Sequence, residues 1–123
     1  MVNKPRERCE GLRVADLLTA GTLTVRSDRE GMVHTICVGG ELDLHTAARL
    51  EHELTRVETT DAQSIVVDLS GLSFIDSTGV RLLFNAHARS RSDGGRLALL
   101  RGPQAVQHTF ELTGILDRLP FTD

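Results

Sequence analysis

The stretch "SFIDSTGVRLLF" (73–84) decides the fold, because a β-period ends inside it and a helical period begins. Upstream, "SIVVDLS" (64–70) is a continuous apolar run, too short for a helix and rich in β-branched residues. That pattern predicts a central strand covered on both faces. Downstream, Val80, Leu83, Phe84 and His87 recur at helical spacing until "RSDGGR" (91–96) breaks the pattern. A strand that passes straight into a helix is the seed of a crossover unit.

Working outward, the same alternation continues on both sides. "RLALL" (96–100) reads as another strand. Pro103 then suits the first turn of a helix, Val106 and Phe110 share one face of it, and Gly114 caps its end. Toward the N-terminus, Ala47, Leu50, Leu54 and Val57 form a helical stripe with Arg49, Glu51, Glu53 and Arg56 off it. Before that, residues 22–25 alternate and "VHTICVG" (33–39) is β-rich, with "SDREG" (27–31) as the turn of an antiparallel hairpin. The order is ββαβαβα plus a short tail, "LDRLPFTD" (116–123). The expected fold is α/β: a mixed sheet of four or five strands, an N-terminal hairpin followed by alternating helices and strands. The two middle helices are expected to give most of the cover, on one side.

Two regions are expected. Residues 1–20 are mixed in charge and poorly patterned, an extension expected to be partly disordered with a short helix at Val14–Thr19; residues 21–123 form the domain. At 123 residues and 40% hydrophobic, the chain has material for one real core. A net charge of −3 gives no global attraction to nucleic acid or anionic lipid. The absence of Trp and Tyr removes the usual base-stacking platforms. The N-terminus lacks the apolar core of a secretory signal, and no apolar run is long enough to span a bilayer. A cytoplasmic protein is expected.

Cys9 and Cys37 are too few for a disulfide framework and lack metal spacing. Cys37, within a strand, reads as a small core residue; a regulatory Cys9–Cys37 disulfide is the alternative. No metal site and no cofactor are expected, and no G-x-x-x-x-G-K-[ST] loop supports nucleotide binding. Arg89, Arg91, Arg96 and Arg101 read as a solvated basic face.

Ser77 is the residue of interest. A nucleophile elbow needs Gly two positions before the serine, where Ile75 stands. None of the five histidines (34, 45, 52, 87, 108) is tied to Ser77 by a motif, so hydrolase chemistry is disfavoured. The plainer reading is a helix cap, since Asp, Ser and Thr all accept from the unpaired N–H groups of a first turn. Yet Asp76, Ser77 and Thr78 stand in a row where one cap suffices. Gly79 follows, and it weakens a helix unless a close approach demands it. The surplus points to an exposed hydroxyl at a helix start.

"VVDLSGLSFIDSTGVRLL" (66–83), preceded by "GGELDLHTAARLEHEL" (39–54), resembles the STAS-domain anti-sigma factor antagonists over roughly residues 21–123. The resemblance implies that Ser77 is phosphorylated by a serine-kinase anti-sigma factor. It implies that the unphosphorylated form binds that kinase and releases the sigma factor, and that a phosphatase resets the switch. Glu41, Asp43, Asp76, Ser77, Thr78 and Gly79 are then the expected partner surface. On the residues themselves, Gly39 and Gly40 end a strand and Asp43 helps start the next helix. The alternative function is a STAS scaffold or sensor module that signals without a sigma-factor circuit.

Overall fold

The structure, a computed structural model, describes residues 23–122. Strand β1 (Leu23–Glu30) runs antiparallel to β2 (Val33–Leu42) across a two-residue turn in which Gly31 takes a positive φ of 61°. Helix α1 (Ala47–Glu58), β3 (Ser64–Ile75), α2 (Ser77–Ser92), β4 (Leu97–Leu100) and α3 (Gln104–Leu112) follow, then a 3₁₀ turn (Leu116–Arg118) and β5 (Phe121–Thr122). The strands lie side by side in chain order, β1 antiparallel and β2 to β5 parallel.

That order dictates the layering. Each crossover from β2 to β5 steps one strand in the same direction, and right-handed crossovers then place α1, α2 and α3 on one face. The side chains agree. Ile36 and Val38, Ile65, Val67 and Leu69, and Leu97 and Leu99 join Leu50, Leu54, Leu83, Val106 and Phe110 in one buried cluster. The alternate strand residues Thr35, Cys37, Val66, Asp68 and Leu100 point the other way and are also buried. The expected cover of β3 on both faces is therefore seen, and a third helix joins the two middle ones.

Polar brackets fix the helices. Arg89 makes a two-pronged contact with Glu58 at 3.0 and 3.0 Å and reaches Glu51 at 2.8 Å, joining α2 to α1. Arg96 donates to the carbonyls of Ala62 and Glu58, both at 2.8 Å, and holds the loop after α1. These two arginines are structural ties and not an open basic face. On the other flank, Ser27 of β1 donates to Glu53, which Arg56 also grips at 2.6 Å.

Four boundaries differ from the sequence expectation. Ser27–Glu30 belongs to β1, so the hairpin turn is tighter than "SDREG". Strand β2 continues through Gly39 and Gly40 to Leu42, with register shifts on both sides of the pair. Gly40 sits at φ 88°, a conformation that favours glycine. Strand β3 runs on to Ile75. The tail supplies a fifth strand of two residues, too short to show a period. It is held by pairing with Leu99 and Leu100 and by the Phe121 ring set edge-on to Phe110 at 5.2 Å. Cys37 is buried as expected, and it is disulfide-bonded, not a free thiol. Cys9 and the expected helix at Val14–Thr19 lie outside the described residues.

Candidate functional site

The start of α2 lies at the carboxyl end of β3, beside the carboxyl end of β2. The chain turns there without a loop: Ile75 is the last strand residue and Ser77 the first helical one. Asp76 between them has an extended backbone (φ −111°, ψ −175°) and is the N-cap. Its Oδ1 accepts from the N–H of Thr78 at 2.9 Å and of Gly79 at 3.1 Å. Its Oδ2 accepts from the N–H of Leu44 at 3.2 Å, and its own N–H donates to the Leu42 carbonyl at 3.2 Å. One carboxylate thus caps the helix and ties it to the loop after β2.

With the cap supplied by Asp76, the hydroxyl of Ser77 has no structural task. Ser77 is exposed, and its side chain makes no hydrogen bond among the described residues, to a histidine or to anything else. No base is positioned for nucleophilic chemistry. The arrangement instead presents a primary hydroxyl on a rigid helix start, reachable by a large partner. Thr78, one residue on, is half-buried.

Gly79 does not belong to the exposed surface. It is buried, and a Cβ there would stand 2.8 Å from side-chain carbons of both Ile75 and Leu42. Its place in the expected partner set is corrected: Gly79 is the close approach that lets α2 start against β2 and β3.

The "GGELD" loop reaches the same end of the sheet. Glu41 pairs with Phe74 in the β2–β3 register and is half-buried. Asp43 turns the chain into α1, its Oδ1 accepting from the N–H of His45 at 2.9 Å and of Thr46 at 3.1 Å. Thr46 closes the loop by donating to the Glu41 carbonyl at 2.7 Å. The structure therefore brings Glu41, Asp43, Asp76, Ser77 and Thr78 to one end of the domain.

Two residues at this end escaped the sequence reading. Leu44 is 70% exposed and Phe74 49% exposed, flanking Asp76 and Ser77 as bare apolar groups. Phe74 stands next to the exposed Ser73 in β3, and Leu44 lies in the loop just past the end of β2. A groove of about 280 Å³ between α1 and α2, lined by Ala48, Glu51, Thr78, Arg81 and Asn85, opens next to them. Apolar side chains ringed by carboxylates beside a groove are suited to a protein partner. Among the described residues no cluster of His, Cys, Asp and Glu is arranged to hold a metal. No described helix is long and apolar enough to cross a membrane.

Known proteins share this fold. The STAS domain family matches residues 25–123. The chain is 30% identical over 95 residues to the anti-sigma-B factor antagonist of Staphylococcus aureus, covering 77% of this chain and 88% of that one. Among solved structures, an anti-sigma factor antagonist from Mycobacterium paratuberculosis has the same fold, with TM-score 0.72 and 24% identity over 80% of this chain and 84% of that one. The antagonist SpoIIAA in its unphosphorylated form aligns at TM-score 0.67 and 24% identity, over 81% and 87%. SpoIIAA has also been solved in a phosphorylated form, which aligns at TM-score 0.63 and 24% identity, over 81% and 90%. By its domain match, its relatives and its fold, the chain belongs to the STAS-domain family of anti-sigma factor antagonists.

Proposed function

We propose that this protein is an anti-sigma factor antagonist that binds a serine-kinase type of anti-sigma factor through the end of the domain around Ser77, and that phosphorylation of Ser77 ends the binding. The reading is carried by one observation: Ser77 offers an exposed, unbonded hydroxyl at a helix start whose cap is Asp76. Modification there removes no hydrogen bond that the fold uses. The names of the relatives support the role. The unphosphorylated protein occupies the kinase and so frees the sigma factor, and a phosphatase restores the hydroxyl. The work is binding, without catalysis, and takes place in the cytoplasm.

The physics of the switch follows from the neighbours. A phosphoserine adds about −1.5 to −2 charge. The positive end of the α2 dipole makes that charge tolerable to the domain. The N–H groups of Thr78 and Gly79 are already taken by Asp76, so the phosphate stays on the surface. It then adds to the charge of Glu41, Asp43 and Asp76 and carries a hydration shell between Leu44 and Phe74. A partner packed on that patch must strip the shell, which is costly.

The test is incubation with ATP and a kinase-type anti-sigma factor, followed by mass spectrometry and affinity measurement. Phosphate on Ser77 and weakened binding afterwards are expected. Phosphate on Thr78 in place of Ser77, or equal affinity of both forms, overturns the proposal.

A further inference from the structure

The face of the sheet turned away from the helices is buried, although no described helix crosses it. Cys37, Asp68 and Leu100 stand in one row across β2, β3 and β4, and Thr35 and Val66 in the next. Their exposures are 4%, 1%, 5%, 1% and 8%. Side chains on an open sheet face are not dry to that degree; something must lie on them. The crossover geometry commits α1, α2 and α3 to the opposite face.

Cys37 identifies the cover. It is disulfide-bonded in the middle of this face. The chain has one other cysteine, Cys9, in the segment that precedes β1. Leu23 lies fourteen residue steps beyond Cys9, a reach of about 45 Å when extended at roughly 3.3 Å per residue. Five strands at about 4.8 Å spacing span only about 20 Å, so the segment has length to spare. Between Cys9 and Leu23 it carries Val14, Leu17 and Leu18, the apolar groups a cover needs.

We propose that this second face is a docking surface whose occupant is the chain's own N-terminal segment, residues 1–22, fastened by a Cys9–Cys37 disulfide. The segment completes the domain as the second layer that a sheet buried on both faces requires. The buried rows cross β2, β3 and β4, away from the start of α2, so this face and the proposed partner surface are separate. The inference does not depend on the proposed function.

Two measurements on the full chain test it. Peptide mapping of the oxidised monomer without reductant should recover Cys9 joined to Cys37. A Cys37–Cys37 dimer would give the face to a second copy and overturn the proposal. In Cys9→Ala, Cys37 becomes the lone thiol, and its alkylation under native conditions should run about a hundredfold slower than in urea. Adding Leu17→Asp and Leu18→Asp should raise the native rate about tenfold or more while far-ultraviolet circular dichroism keeps its mixed α/β shape. Should the aspartates unfold the chain, Leu17→Ser with Leu18→Ser replaces them with the same expected gain. Equal native rates in Cys9→Ala and in the folded double variant would overturn the proposal, as would labelling of Cys9→Ala at the urea rate.

Discussion

Three adjacent hydroxyl and carboxyl residues, similar in capping ability, take three different parts at the start of α2. Asp76 caps, Ser77 faces solvent, and Thr78 is half-buried with its N–H given to Asp76. The division makes opposite predictions for neighbouring alanines. Asp76→Ala should cost about 1–2 kcal/mol, because it removes the cap and the tie to Leu44 together. Ser77→Ala should cost less than about 0.5 kcal/mol, as expected of a surface change that breaks nothing. Urea unfolding of the two variants checks the pair, and a Ser77→Ala loss equal to that of Asp76→Ala would show that the hydroxyl is structural. Gly79→Ala tests the close approach: a Cβ at 2.8 Å from Leu42 and Ile75 forces one of them to move. A loss of roughly 1–3 kcal/mol is expected, read as a lower urea midpoint.

At the scale of elements, the helices are seated by burial and then registered by ion pairs at their rims. Strand β1, at the open edge of the sheet, is joined to α1 by Ser27, Glu53 and Arg56. The Glu53 carboxyl is pulled down to about 2, mainly by hydrogen bonds from Arg56, with Ser27 adding to them and partial burial opposing. A depressed carboxyl contributes stability that is present above its ordinary range near 4.5 and lost as pH falls toward about 2. The Arg56 side chain is half exposed, so solvent screens the pair and its contribution is small. Glu53→Gln should therefore melt below the parent at pH 7, and the gap should close as pH is lowered from about 5 to about 2. A gap that stays constant with pH would mean the loss is packing and not charge.

For the whole molecule, the fold and the proposed switch occupy different places. The core lies between the sheet and three helices, while the residues proposed to meet a partner sit at the carboxyl ends of β2 and β3. That is where a parallel sheet leaves its connections exposed and where its helices begin. Ser77→Asp should then keep the urea midpoint within about 0.5 kcal/mol of the parent, an acid at a first helical turn being favourable to the dipole. The same change should weaken binding to a kinase-type anti-sigma factor by about tenfold or more, each tenfold being about 1.4 kcal/mol. Calorimetric titration beside the unfolding curve separates the two effects. Loss of fold together with loss of binding would end the claim that the switch acts on association.

Much of this was legible in the chain itself. Periodicity determined the hairpin, the alternation of α1, β3, α2, β4 and α3, and the buried faces, because a residue's repeat along one element is a local property. The ordered "GGELD" and "DSTG" motifs likewise announced the family, and the capping chemistry of Asp76-Ser77-Thr78 pointed to the candidate site. What the tertiary structure decided were matters of distance between elements. Which of three capping residues caps was settled by where Leu44 and Leu42 stand relative to Asp76. Gly79 moved from the partner surface to the interior because β2 passes beneath it. Phe121 and Thr122 became a strand only because β4 offers them an edge. Leu44 and Phe74, to which the sequence reading gave no part, stand bare at the end of the sheet. Sequence spacing records which residues share an element; which elements meet, and what is left uncovered where they stop, depends on the packing of the whole chain.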